Sequence, residues 1–153
     1  MSTPSAAEVN PDSGKTALGK VFGWLAAVLF IAVVVQVGLA GYGAFHAVHA
    51  ADHSSISKKT IENAFNAHVA LGYIIVLVML VLFLVALAGR LGKRNIKLSG
   101  AIVVLGIVQA IIGIASESTP AIGPLHTINA LGIFTTTGLL AHRTMARRRR
   151  TVS

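Results

Sequence analysis

The sequence predicts an all-α, polytopic membrane protein: a bundle of four transmembrane helices made of two repeated helical hairpins, with both termini cytoplasmic. Three observations predict it. The 153 residues are 54 % hydrophobic and only 12 % charged, against about a quarter charged in a soluble domain. The apolar residues fall into four runs, each near the roughly 20 residues that cross a bilayer. The basic residues collect between and after those runs in a pattern that fixes orientation.

The runs are 20–45, 64–89, 98–116 and 122–141, and none carries a charge in its middle. Helix is expected because a lone spanning segment must satisfy its own backbone hydrogen bonds. A spanning barrel would alternate in polarity, and these runs do not. Residues 1–18, with Pro4 and Pro11, read as a disordered cytoplasmic tail, and the run that follows is too long for a signal peptide. Residues 19–143 form the transmembrane domain and 144–153 a basic cytoplasmic tail. The segment 46–63 reads as a polar outer loop, and ESTPAIGP as a second, short one. Pro124 suits the first turn of the fourth helix, where a missing N–H costs nothing. The turn GRLGKRNIKLSG is tight, which makes the second and third helices antiparallel neighbours.

Of the 13 basic residues, all except Lys58 and Lys59 fall before the first run or at its first residue, between the second and third, or after the fourth. That places those segments in the cytoplasm and the chain in the plasma membrane as a multi-pass protein. The net charge of +8 therefore serves topology. No nucleic-acid partner is expected, and the run Arg147–Arg150 is read as a contact for anionic membrane lipids. The chain has no cysteine, which excludes disulfide and thiol chemistry.

An internal repeat is visible. VVVQVGLAG around Gln36 matches GIVQAIIGI around Gln109, and NAHVALGYI at His68 matches PLHTINALGIF at His126. Each half runs out with a glutamine and returns with a histidine, so the halves are parallel about the membrane normal. His68 and His126 then lie at one depth, near the outer face. A histidine within a span is rare and tends to face the interior. Two of them converging from opposite sides are what a six-coordinate haem b needs; Ala32, Ala40, Gly43 and Ala47 around Gln36, Gly106, Gly113 and Ser116 around Gln109, and Gly72 and Ala130 one turn on from the histidines offer room. The competing reading makes both histidines interfacial, hydrogen-bonded to loops or across helices.

His46, His49 and His53 form a second cluster. On a continued helix they share one face, a spacing suited to Zn²⁺ or Cu²⁺, but it matches no closed four-ligand pattern, and a polar loop with incidental histidines, or groups near a haem propionate, is the commoner reading. Gln36 and Gln109 are expected to hydrogen-bond between helices, and Thr135, Thr136 and Thr137 to bond back to their own helix. Trp24 and Tyr42 suit the membrane interface.

The stretch VQAIIGIASESTPAIGPLHTINALGIF resembles the third and fourth helices of one half of heme A synthase. The resemblance covers roughly residues 20–143. It implies a four-helix half with one histidine on the second helix and one on the fourth around a haem, positions matched by His68 and His126. The Gln, His-x-x-x-Gly and Leu-His-x-x-Asn-Ala patterns are also similar to those of small four-helix actinobacterial membrane proteins of unknown function. Heme A synthase carries a glutamate three residues before its first ligand histidine, where this chain has Phe65, and many members carry an outer cysteine pair, absent here. The resemblance therefore implies haem binding and electron transfer more than oxygenation of a haem.

The sequence leaves open a cofactor-free accessory subunit of a larger membrane complex, or a homodimer. A transporter is disfavoured, because no Asp, Glu, Lys or Arg lies inside a run beyond its first residue.

Overall fold

Uninterrupted apolar runs become four helices in the computed structural model, which describes residues 11–53 and 57–150 and, within these, the side chains of 17–52 and 57–146. They are α1 (Pro11–His53), α2 (Lys58–Ala88), α3 (Lys93–Ser118) and α4 (Gly123–Arg150), with a single 3₁₀ turn at Pro120–Ile122 between the last two. No strand occurs among the described residues. Each helix packs against its neighbours in the chain, and α4 closes the ring against α1. With connections this short, neighbours are antiparallel.

Three helices are long and apolar enough to cross a membrane: α1 over Ala17–Asp52, α2 and α3. The chain thus has the character of a membrane protein. α4 falls outside that group because His126, Asn129 and the threonines 135–137 dilute its apolar run.

The helices extend further than the sequence reading places them. α1 begins at Pro11, so residues 11–18 join it, leaving 1–10 of the expected tail outside the described residues. A proline fits a first helical turn, where its missing N–H has no intrahelical acceptor. At the other end α1 runs through the expected outer loop to His53. Nothing between Tyr42 and His53 breaks a helix, and polar residues there lie beyond the core. α2 starts at Lys58 because Ser57 caps it, its Oγ accepting the Thr60 N–H at 3.1 Å, a capping bond worth about 1 kcal/mol. α4 likewise continues through 144–150 of the expected basic tail.

The core is one stripe per helix. Phe22, Ala26, Leu29 and Val33 are buried on α1, Ile75, Met79, Leu82 and Ala86 on α2, Ser99, Ile102 and Gly106 on α3, and Ile133, Thr137 and Leu140 on α4. Their spacing alternates between three and four residues, the seam of left-handed bundle packing. The outward faces stay apolar, with Ile31, Leu77, Ile111 and Leu131 all exposed. Apolar exposure on that scale marks a surface that contacts lipid or protein, not water.

Buried hydroxyls are satisfied within their own helices. Ser99 Oγ donates to Asn95 O at 2.8 Å, Thr136 Oγ1 to Gly132 O at 2.7 Å and Thr137 Oγ1 to Ile133 O at 2.8 Å. Thr136 and Thr137 thus behave as the sequence implies.

The turn between α2 and α3 is a Schellman motif with an unusual occupant. Leu91 N–H bonds Ala86 O and Arg90 N–H bonds Leu87 O, the paired bonds of that cap. The left-handed residue at its corner is Arg90, with φ 47°, not a glycine. Gly89, one residue earlier, is needed for another reason: a Cβ there would stand 2.9 Å from Leu91 Cδ2 and 3.1 Å from Leu18 Cβ. Arg90→Gly is expected to raise stability by about 1 kcal/mol by removing left-handed strain, and Gly89→Val to lower it by about 1–3 kcal/mol through overpacking. Thermal unfolding in detergent reads both.

Candidate functional site

Continuing the four stripes toward the α1–α2 connection changes their chemistry. The next positions at the same three- and four-residue spacing are Gln36 on α1, Gly72 and His68 on α2, Gln109 and Gly113 on α3, and Ala130 and His126 on α4. The apolar core therefore ends in a layer of two glutamines and two histidines. His68 and His126 come from the two helices that face each other diagonally across the ring, so only their side chains meet. Their ring centroids are 6.3 Å apart, with the planes inclined at 56°. The two rings therefore stand level with each other in the bundle.

His68 is held by Gln36 in both directions. Gln36 Nε2 donates to His68 O at 2.7 Å, and His68 Nδ1 lies 3.2 Å from Gln36 O. A carbonyl partner makes Nδ1 the protonated nitrogen and leaves Nε2 with a free lone pair. Gly72 allows the clamp, since a Cβ there would stand 3.2 Å from Gln36 Nε2. Phe65 meets the His68 ring edge-on, at 6.3 Å and 86°. It also packs on Gly43, where a Cβ would approach the Phe65 ring at 2.8 Å and Ala64 O at 2.9 Å.

The second half is built differently. Gln109 Oε1 accepts from Asn129 Nδ2 at 2.7 Å, and the same amide donates to Leu105 O at 2.9 Å. Both glutamines thus bond between helices, as their place in the spans implies. His126 Nδ1 is turned toward the Gln109 backbone, yet it is buried without a closed hydrogen bond. Gln36 Oε1 is the other buried side-chain acceptor without a partner among the described residues.

These groups surround a cavity of about 210 Å³, floored by Val33, Met79 and Ile133, walled by Gly106 and Gly113, and reached by Glu117 at the end of α3. Both orphaned polar atoms belong to residues that line it. Asn129, Met79 and Glu117 are contributors that sequence reasoning missed. Only Asn129 left a signal, three residues beyond His126 on the same helical face.

His46 and His49 sit exposed on the last turns of α1, with His46 stacked on Tyr42 at 5.7 Å. The His53 side chain lies outside the described residues. Among the described residues no three His, Cys, Asp or Glu side chains gather into a group that could hold a metal ion.

The family model described as a family of unknown function, DUF6220, matches residues 36–116, more than half of the chain. The chain belongs to this family. The DUF6220 match opens on Gln36 and takes in His68 and Gln109, and it ends before His126. No curated protein and no solved structure matches the chain.

Replacing Asn129 with Leu strands the Gln109 side chain inside the bundle. The expected loss is about 0.6–1.7 kcal/mol, the range for interhelical hydrogen bonds in membranes, read as a lower unfolding temperature in detergent.

Proposed function

We propose that this chain crosses the plasma membrane four times with both termini in the cytoplasm, and that His68 and His126 hold one haem b near the outer face for electron transfer. The observation that carries the reading is the imidazole pair. A metal bonded at ~2 Å to one nitrogen of each ring sets the centroids about 6 Å apart, and these stand at 6.3 Å. The donor set suits iron porphyrin, and the carbonyl partner on His68 Nδ1 is the usual support of a ligating imidazole. Two buried polar atoms without partners around one cavity also favour an occupant. When bound, such a haem exchanges one electron between ferric and ferrous iron. The chain supplies the ligands, their orientation and an apolar wall that keeps water off the ring.

The likeness to one half of heme A synthase supports the same ligand pair. With Phe65 packed against Gly43 and His68, the reading is haem carriage, not oxidation of a haem methyl. α4 supports a fourth crossing, because Thr136, Thr137 and Asn129 already have partners inside the bundle and so expose little polarity to lipid.

The cavity, about 210 Å³, falls below the roughly 300 Å³ lower end of small-molecule sites. A porphyrin therefore enters only as Met79 and the helices beside Gly106 and Gly113 give way. That tightness favours the second reading, a cofactor-free subunit of a larger membrane complex. One spectrum separates them: the full chain purified with hemin supplied should show a Soret band, and the His68→Ala/His126→Ala double variant should not. A wild-type chain that takes up no hemin sinks the haem reading.

The cysteine-free sequence allows a direct test of topology. Ser55→Cys and Ser118→Cys should react with a membrane-impermeant maleimide on intact cells, whereas Lys93→Cys and Thr151→Cys should react only after lysis. Labelling of Thr151→Cys from outside would mean that α4 does not cross.

A further inference from the structure

Near their shared turn, α2 and α3 close tightly on each other. A Cβ on Gly100 would stand 3.3 Å from the Phe83 ring, and one on Gly106 would stand 2.5 Å from Met79 Sδ and 3.7 Å from Val76 Cγ2. Residues at i and i+7 share a helix face. Val76 and Val69 therefore continue the face of Phe83 on α2, and Ile114 continues the face of Gly100 on α3. Were the seam closed to its end, Val69 and Ile114 would cover each other. They are instead 49 % and 62 % exposed, and Tyr73, one turn inward, is 61 % exposed. All three nonetheless line the cavity, together with Ala110 and Glu117. The cavity thus opens sideways, through a wedge between α2 and α3. Both helices are long and apolar enough to cross a membrane, so in a bilayer the wedge opens on lipid.

The inner end of this wedge is rich in acceptors. Gln36 Oε1 is buried without a donor. His68 Nδ1 faces the Gln36 carbonyl and His126 faces the Gln109 backbone. A neutral imidazole that donates through one nitrogen accepts through the other, so each ring turns an Nε2 lone pair to the remaining space. At the mouth stands the carboxylate of Glu117, an acceptor only when ionised. A hydroxyl-bearing head satisfies such groups. An anionic head meets Glu117 and the lone pairs with the wrong sign, and a charged head of either sign is costly to bury. The cavity, about 210 Å³, exceeds the roughly 150 Å³ that holds one benzene, so the head is small.

We propose that the cavity receives the head of a small, uncharged, hydroxyl-bearing membrane lipid, whose chain leaves through the wedge past Tyr73 and Ile114. The inference goes beyond the haem reading and does not rest on it. Both occupants would use the same imidazole lone pairs, so the cavity holds one at a time, and either reading can fail alone.

The test uses the full chain, purified in detergent without hemin, and two probes with the same chain: monoolein, which carries hydroxyls, and methyl oleate, which carries none. Native mass spectrometry should count one monoolein per chain. Methyl oleate should bind about 10-fold or more weakly, the loss expected when buried acceptors are left without donors. Ile114→Cys, in a chain with no other cysteine, should react severalfold more slowly with N-ethylmaleimide once monoolein is bound. Ala110→Phe should exclude both probes by filling the wedge. Glu117→Leu should weaken monoolein about 10-fold and leave methyl oleate unchanged. Glu117 is exposed near the end of α3, so its replacement does not threaten the fold. Equal binding of the two probes overturns the proposal. So does monoolein uptake that never saturates at one per chain, an Ile114→Cys rate indifferent to monoolein, or a Glu117→Leu chain that binds monoolein as the wild type does. All of these are read without hemin, which keeps them separate from the Soret test of the haem reading.

Discussion

The reciprocal hydrogen bonds between Gln36 and His68 set the register of the bundle. Inside lipid or apolar core, a polar group without an internal partner is costly, so α1 and α2 settle where these two residues meet. One heptad further along α1, Gly43 comes to rest on Phe65 and the Ala64 carbonyl. At the far end Leu18 comes to rest beside Gly89. Once α1 and α2 are in register, the short Schellman turn fixes α3, and ring closure of α4 on α1 brings His126 level with His68.

The site is a layer of the core in which side-chain chemistry changes while the spacing does not. Below it the stripe positions are Leu29, Leu82, Ile102 and Leu140, all fully buried. In it they are glutamine and histidine, bordered by Gly72, Gly113 and Ala130. Small residues beside large polar ones leave the cavity. Met79, whose thioether adapts to irregular gaps, fills the space against Gly106. The layer lies toward one end of the ring, and the basic residues Arg90, Lys93, Arg94 and Lys97 lie at the other, around the α2–α3 turn.

The helices were legible as apolar runs, and the histidine pair was legible from the repeat. The helix ends were not, because a polar stretch such as 46–53 reads as a loop whether or not its backbone continues a helix. From His46 to His53 the chain is polar yet contains no proline, and a helix that outruns its core exposes such residues at no cost. The heptad stripe was legible too, since Gln36, His68, Gln109 and His126 all fall on it. Depth alone does not reveal this, whereas the three- and four-residue spacing does. The cavity volume could not be read, because it depends on the rotamer of Met79 and on how closely Gly106 lets α2 approach α3. The role of Asn129 was half visible: its spacing from His126 placed it on the right face, but only packing assigned it to Gln109.

A perfect repeat would seat the two histidines alike, and one pair of residues breaks the likeness. Position 71 is Leu in the first half and its counterpart, position 129, is Asn in the second. Leucine asks nothing of Gln36, which keeps both ends of its amide for other partners: one bonds His68, and the other, Oε1, faces the cavity unpaired. Asparagine inside a bundle must be bonded, and the nearest acceptors are Gln109 Oε1 and the Leu105 carbonyl. Gln109 thus joins α3 to α4 through its Oε1. The same glutamine position thus becomes a clamp on His68 in one half and a tie to Asn129 in the other.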